Sequence, residues 1–175
     1  AVVVYSFHWN SHQLDKHALE VATNRGRFVF KFVETVRLWN ARHGGVYVNM
    51  TDQTPSNPYL DVPDRDIQSN MGHQLTKLNP AYMTRQIAEL AMETATMQLN
   101  ITSLNPIRPQ NKADPWETQA LQSFEHGKKG TISLLSEEKG QRFRYMAPLL
   151  TQKACLSCHA IQGYELGDVR GGISV

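Results

Sequence analysis

Cys155-Leu156-Ser157-Cys158-His159 is the segment of this chain whose residue types and spacing define a chemistry. Two thiols three residues apart lie on one helical turn, where both can form thioethers to the two vinyl groups of a single haem. The adjacent His159 then reaches the iron from the proximal face. Covalent attachment of this kind retains a haem c that a small domain cannot fully enclose. Two other uses of Cys-x-x-Cys compete with it. A redox disulfide of the thioredoxin type sits at a helix start after a βαβ strand, an order not read here. A zinc site needs two further ligands, and the chain has only two cysteines. They are also too few for a disulfide framework. The histidine at the fifth position favours haem.

The sixth iron position is open at this level. Met83 is the first candidate, followed by His43 and His73, with Met50, Met92, Met97 and water also in play. His alone, His/Met and His/His ligation all occur, and the choice sets potential and gas access. Arg85, Arg142 and Arg144 are candidates to pair with haem propionates, because a guanidinium meets a carboxylate as a fork. The carboxylates Glu117, Glu125, Glu137 and Glu138 are scattered, and no Ser/His/Asp or Cys/His set has catalytic spacing, so the chain reads as a non-enzyme.

The elements that must position the motif follow from periodicity. Residues 10–43 predict one long helix capped by Ser11 and stopped by Gly44-Gly45. Leu14, Ala18, Val21, Phe28, Phe32 and Trp39 recur at steps of three and four with Arg25 and Thr35 in the same stripe, a heptad-like seam. Val29, Phe30, Val33 and Val36 widen the apolar face in the second half. The first half therefore reads as an exposed or dimerising arm and the second as a core helix. Residues 1–7 form a short apolar run with two readings, a buried strand or the trailing end of a membrane helix.

Further along, residues 45–50 predict a strand and residues 51–63 a loop. Asn79-Pro80 opens a second helix and Asp114-Pro115-Trp116-Glu117 a third that runs to about His126. Strands are predicted near 99–103, over 131–136 and 141–149 about a turn at Glu137-Glu138-Lys139-Gly140, and at 171–175. The order is α+β, with a small antiparallel sheet packed on helices. A formal charge of +2 with scattered basic residues gives no nucleic-acid footprint. No stretch is long enough to span a bilayer.

Several ordered strings resemble one family. They are His43-Gly44-Gly45-Val46-Tyr47-Val48, Leu78-Asn79-Pro80-Ala81-Tyr82-Met83-Thr84-Arg85-Gln86, Thr102-Ser103-Leu104-Asn105-Pro106, Asp114-Pro115-Trp116-Glu117, the cysteine motif, and Gly167-Asp168-Val169-Arg170-Gly171-Gly172-Ile173-Ser174. From about Trp39 to Val175 the chain is similar to the extracytoplasmic c-type haem sensor domains long listed as a domain of unknown function. The resemblance implies a PAS-like fold: an antiparallel sheet, flanking helices and a long N-terminal helix. It divides the chain into a signalling or dimerising helix over 1–43, following a membrane span in one reading, and a haem domain over 44–175. It also implies haem held by Cys155, Cys158 and His159, a periplasmic location, a membrane tether in the full-length protein, and a sensory role in bacterial receptors.

Three functions are weighed on these residues. A sensor of redox state or of a diatomic gas leads, with a homodimer through the N-terminal helix. A periplasmic single-haem electron-transfer protein is the alternative. A haem enzyme such as a peroxidase comes last, for want of a marked distal base.

Overall fold

A computed structural model describes residues 2–94, 97–137 and 140–175. The long helix, α1, spans Val2–Arg42. It therefore begins well before Asn10 and absorbs the apolar run, which is no buried strand: Val2 and Phe7 are 81% and 72% exposed. Among the described residues no helix is long and apolar enough to cross a membrane. The first half of α1 is exposed throughout, and from Gly26 onward the helix joins the body through Gly26, Phe30, Val33 and Asn40. Gly44 and Gly45, with φ of 72° and 98°, turn the chain out of α1, and the Gly45 amide donates to Asn40 O at 3.0 Å.

Two antiparallel sheets follow. The smaller is ordered β1-β3-β2, from β1 (Val46–Asn49), β2 (Asp66–Gln68) and β3 (Gln74–Leu78). The β2–β3 hairpin was not anticipated: its strands are three and five residues long, and β2 is largely exposed and lacks an apolar alternation. Asp66 in β2 accepts from Ser56 Oγ at 2.6 Å and Arg65 Nε at 2.8 Å, which ties the preceding loop to the sheet. The larger sheet is ordered β4-β7-β6-β5, from β4 (Asn100–Thr102), β5 (Thr131–Glu137), β6 (Gly140–Leu150) and β7 (Val169–Ser174). Two residues of the turn expected between β5 and β6, Glu138 and Lys139, lie outside the described residues.

Side-chain alternation along β6 builds a core on each face of the larger sheet. Tyr145 and Ala147 meet Phe30 and Val33 of α1, with Leu99 and Ile173. Met146 points the other way, against Ala120, Leu121 and Phe124 of α3 (Pro115–Glu125). Gly26 lets α1 approach closely, because a Cβ there would lie 2.6 Å from Tyr145 Cβ. α3 begins with a capping box, in which Asp114 accepts from the Glu117 amide at 2.7 Å and Glu117 from the Asp114 amide at 3.0 Å. Glu117 is fully buried, yet its carboxylate also receives Asn100, Ser174 and Arg144. A buried charge satisfied so completely locks α3, β4 and β7 together. α2 (Pro80–Thr94) starts as expected at Asn79, whose side chain accepts from the Tyr82 amide at 2.9 Å. The larger sheet with helices on both faces and a long N-terminal helix is a PAS-like α+β fold.

Candidate functional site

The segment between β6 and β7 carries the motif. Its ends are clamped to each other, since Thr151 N donates to Asp168 O at 2.8 Å and Gly167 N to Thr151 O at 2.9 Å. Within it the chain winds through three short helical turns, Lys153–Cys155, Leu156–His159 (α4) and Ala160–Gln162, and leaves through Gly163 at φ 84°. Cys155 and Cys158 are free thiols on these consecutive turns, the first half-buried and the second exposed. Together with His159 they face α1 and the start of α2 across two abutting cavities of about 350 and 390 Å³. Both cavities share Arg37 from α1, Asn79 and Ala81 at the α2 start, Cys158, His159 and Arg170 of β7. Leu60, Val62 and Leu149 add apolar wall to both, and Leu38 and Ala41 to the first.

His159 is half-buried and oriented through one ring nitrogen. Its Nδ1 lies 2.8 Å from Gln162 Oε1 and 3.0 Å from Arg170 Nε. Those contacts demand opposite roles, because Gln162 Oε1 accepts a proton from Nδ1 whereas Arg170 Nε donates one to it. The ring thus chooses between two tautomers, and either way Nε2 has no partner among the described residues. Burial first, then the charge of Arg170, holds the imidazole below its ordinary pKa against the opposing hydrogen bond from Gln162. A neutral ring with a free nitrogen is what a metal ligand needs.

Two arginines of this site were missed by sequence reasoning. Arg170 stacks over Tyr164 at 4.9 Å and donates through Nη1 to Ser103 Oγ at 2.7 Å. Arg37 donates through Nη1 to Pro80 O at 2.9 Å and Thr84 Oγ1 at 3.0 Å. Burial pulls the Arg37 pKa down to about 10, with the neighbouring Arg170 acting in the same direction. Arg170 stands in one of the strings that mark the family resemblance. Arg37 interrupts the buried stripe Phe30, Val33, Asn40 at helical spacing, and a polar residue there is the signal that was available.

The expected site residues are distributed unevenly. Arg85 lines the second cavity with His159, stacked over Tyr82 at 4.2 Å and paired loosely with Glu89 at 3.9 Å. Arg142 and Arg144 are not brought to it. Both line a separate cavity between α1 and the start of α3, and Arg144 is held there by Asp114 at 2.8 Å and by Trp116 beneath it at 4.2 Å. β6 carries them toward the far end of the sheet from the motif. Met83 does not line either cavity: it turns toward α1, where its sulfur receives Asn40 Nδ2 at 3.6 Å. His43 and His73 are exposed, His43 bonded to Trp39 O at 2.7 Å and His73 in the β2–β3 turn. Met50, Met92 and Met97 line neither cavity.

Fold and site together define a PAS-like domain with a Cys-x-x-Cys-His turn set into a cavity under its long helix. The model of the Tll0287-like family matches residues 15–175, and the chain belongs to that family. Among solved structures it is similar to the cyanobacterial heme-protein Tll0287, with a TM-score of 0.53 at 19% identity over 93% of this chain and 92% of that one. No curated protein matches the sequence.

Proposed function

We propose that this chain is a haem c sensor domain, extracytoplasmic and tethered to a membrane in the full-length protein, that responds to a diatomic gas or to redox state at the iron. Cys155 and Cys158 supply the attachment. Each thiol adds across a vinyl double bond, so the sulfur gains a carbon and the proton stays with the adduct, with no oxidant consumed. His159 supplies Nε2 to the iron, which places the ring proton on Nδ1 and selects Gln162 as its acceptor. Gln162 thereby orients the ring. The solved relative is described as a heme-protein, and the donor set here fits the same group. Haem held there would supply an iron able to take up small ligands or to change oxidation state.

The observation that carries the sensory reading is the composition of the cavities. Among the described residues lining them, His159 is the only imidazole and there is no methionine. An iron held there would find His159 as the one imidazole of the lining and no methionine to serve as a second ligand. An electron carrier instead keeps two protein ligands in both oxidation states. The exposed seam of α1, with Leu14, Val21, Phe28, Phe32 and Trp39 all 50% or more exposed, supports a homodimer that transmits the change along the helix.

The test is an absorption spectrum of the domain produced with haem-attachment machinery, oxidised, reduced, and reduced with CO. CO uptake by the reduced form supports the sensor. A spectrum that stays six-coordinate and ignores CO supports the electron-transfer alternative and sinks the gas-sensing reading. A polypeptide that carries no haem after denaturation refutes covalent attachment.

A further inference from the structure

Arg37 and Arg170 stand together at the junction of the two cavities, half-buried, on α1 and β7. Among the described residues neither forms an ion pair. Glu34, whose charge reaches Arg37, is itself paired with Lys31 at 2.7 Å. Two like charges drawn partly out of water without an anion between them are costly, and proteins keep such pairs where a ligand completes them. What now offsets them is local: for Arg170 the Tyr164 hydroxyl first, then Cys155, with the Nδ1 of His159 and Ser103 Oγ as acceptors, and for Arg37 Cys155 and then Glu34.

Loading the site removes two of these partners, Cys155 and the His159 acceptor. A cysteine converted to a thioether has no anionic form. A histidine that gives Nε2 to iron must carry its proton on Nδ1, which turns that atom into a donor and leaves Arg170 Nε without its acceptor. Arg37 meanwhile engages only Nη1 among the described residues, so most of its five donors remain to be used. Haem brings two carboxylates. On the haem reading above, we infer that Arg37 and Arg170 form the carboxylate clamp of this domain, each taking a propionate oxygen, with the Arg170 fork passing from His159 to the propionate as the iron binds. Arg142 and Arg144, held at the far end of β6, have no part in it.

The holo domain and its Arg37→Gln, Arg170→Gln, Arg37→Lys and Arg144→Gln variants are compared by haem midpoint potential and by the infrared carboxylate bands of haem labelled with ¹³C in its propionates. Arg37→Gln is the cleaner probe, because Arg37 does not touch His159. Removing a cation beside the propionate favours the ferric state, so Arg37→Gln is expected to shift the ferric/ferrous equilibrium by about tenfold, a drop of 59 mV for a one-electron couple. It also shifts the labelled bands. Arg170→Gln moves both in the same direction, Arg37→Lys restores the potential, and Arg144→Gln changes neither. Labelled bands unchanged in both glutamine variants, with haem fully attached, overturn the clamp while leaving the haem reading intact. Absence of attached haem in the unsubstituted protein fails the underlying reading instead. If millimolar acetate shifts the unsubstituted protein's potential and Arg37→Gln abolishes that response, the arginines hold a free anion, and the clamp is likewise overturned. Should Arg37→Gln not fold, Arg170→Gln against Arg144→Gln carries the same comparison.

Discussion

Gly26→Ala pits helix propensity against packing, with opposite signs. Gly26 lies well inside α1, where alanine is favoured over glycine by about 1 kcal/mol on propensity alone. The new Cβ would sit 2.6 Å from Tyr145 Cβ and 2.9 Å from its Cγ, neither of which belongs to a flexible chain end. Ordinary carbon contact needs about 3.5–4 Å, so α1 must lift from β6 by roughly 1 Å or Tyr145 must leave its place in the core. Overpacking of this kind costs about 1–3 kcal/mol, often more than the propensity gain. The net expectation is a loss of about 1 kcal/mol and at most about 2, read as a melting temperature lowered by about 2–8 °C for a chain of this size. Arg37 lies eleven residues further on, about three turns away on the same face, so the lifted helix also carries Arg37 outward from the cavity. Thermal unfolding followed by circular dichroism reads the first effect, and the haem spectrum of the loaded protein reads the second. A melting temperature unchanged or raised would refute the close approach and leave propensity as the governing effect.

Other consequences follow from the same structure. Asp66 has its pKa lowered to about 2, chiefly by the Ser56 hydroxyl and then by Arg65. Its contribution to stability is fully present above the unfolded carboxylate value near 4 and is lost as pH falls through about 2. Urea unfolding from pH 5 down to 2 should show Asp66→Asn less stable by about 1 kcal/mol at the upper end, after discounting for its partial exposure, with the difference closing at the lower. Equal differences at both ends would remove Asp66 from the loop anchor. On the exposed seam, Phe28→Glu with Phe32→Glu should leave the melting temperature of the body nearly unchanged, since both rings are outside the core at 71% and 62% exposure. Sedimentation should then report a monomer where the unsubstituted chain is a dimer; an unsubstituted chain that is monomeric at high concentration removes the dimer.

The placing of Cys155, Cys158 and His159 side by side needed no tertiary information, because five consecutive residues on short helical turns sit together whatever surrounds them. The helices were legible for a related reason. Asn79-Pro80, Asp114-Pro115-Trp116-Glu117 and Gly44-Gly45 are caps and stops whose effect is confined to one turn, and the structure bears out each of them. The α1 stripe announced a two-faced helix, but periodicity alone does not say which face is buried. The heptad seam proved to be the exposed one, and the core took Phe30, Val33 and Asn40, the stripe that Gly26 admits to the sheet. The β2–β3 hairpin escaped because its strands are too short to display an alternation, and it is held by strand pairing and by the bonds of Asp66 to Ser56 and Arg65 rather than by an apolar face. Only tertiary structure could sort the arginines. Arg144 and Arg170 both lie on strands of the same sheet, yet strand direction carries one to the α3 cap and the other to His159, while Arg37 arrives from a helix more than a hundred residues away in the chain. Distances across a fold are set by topology, and a side chain's type carries no record of them.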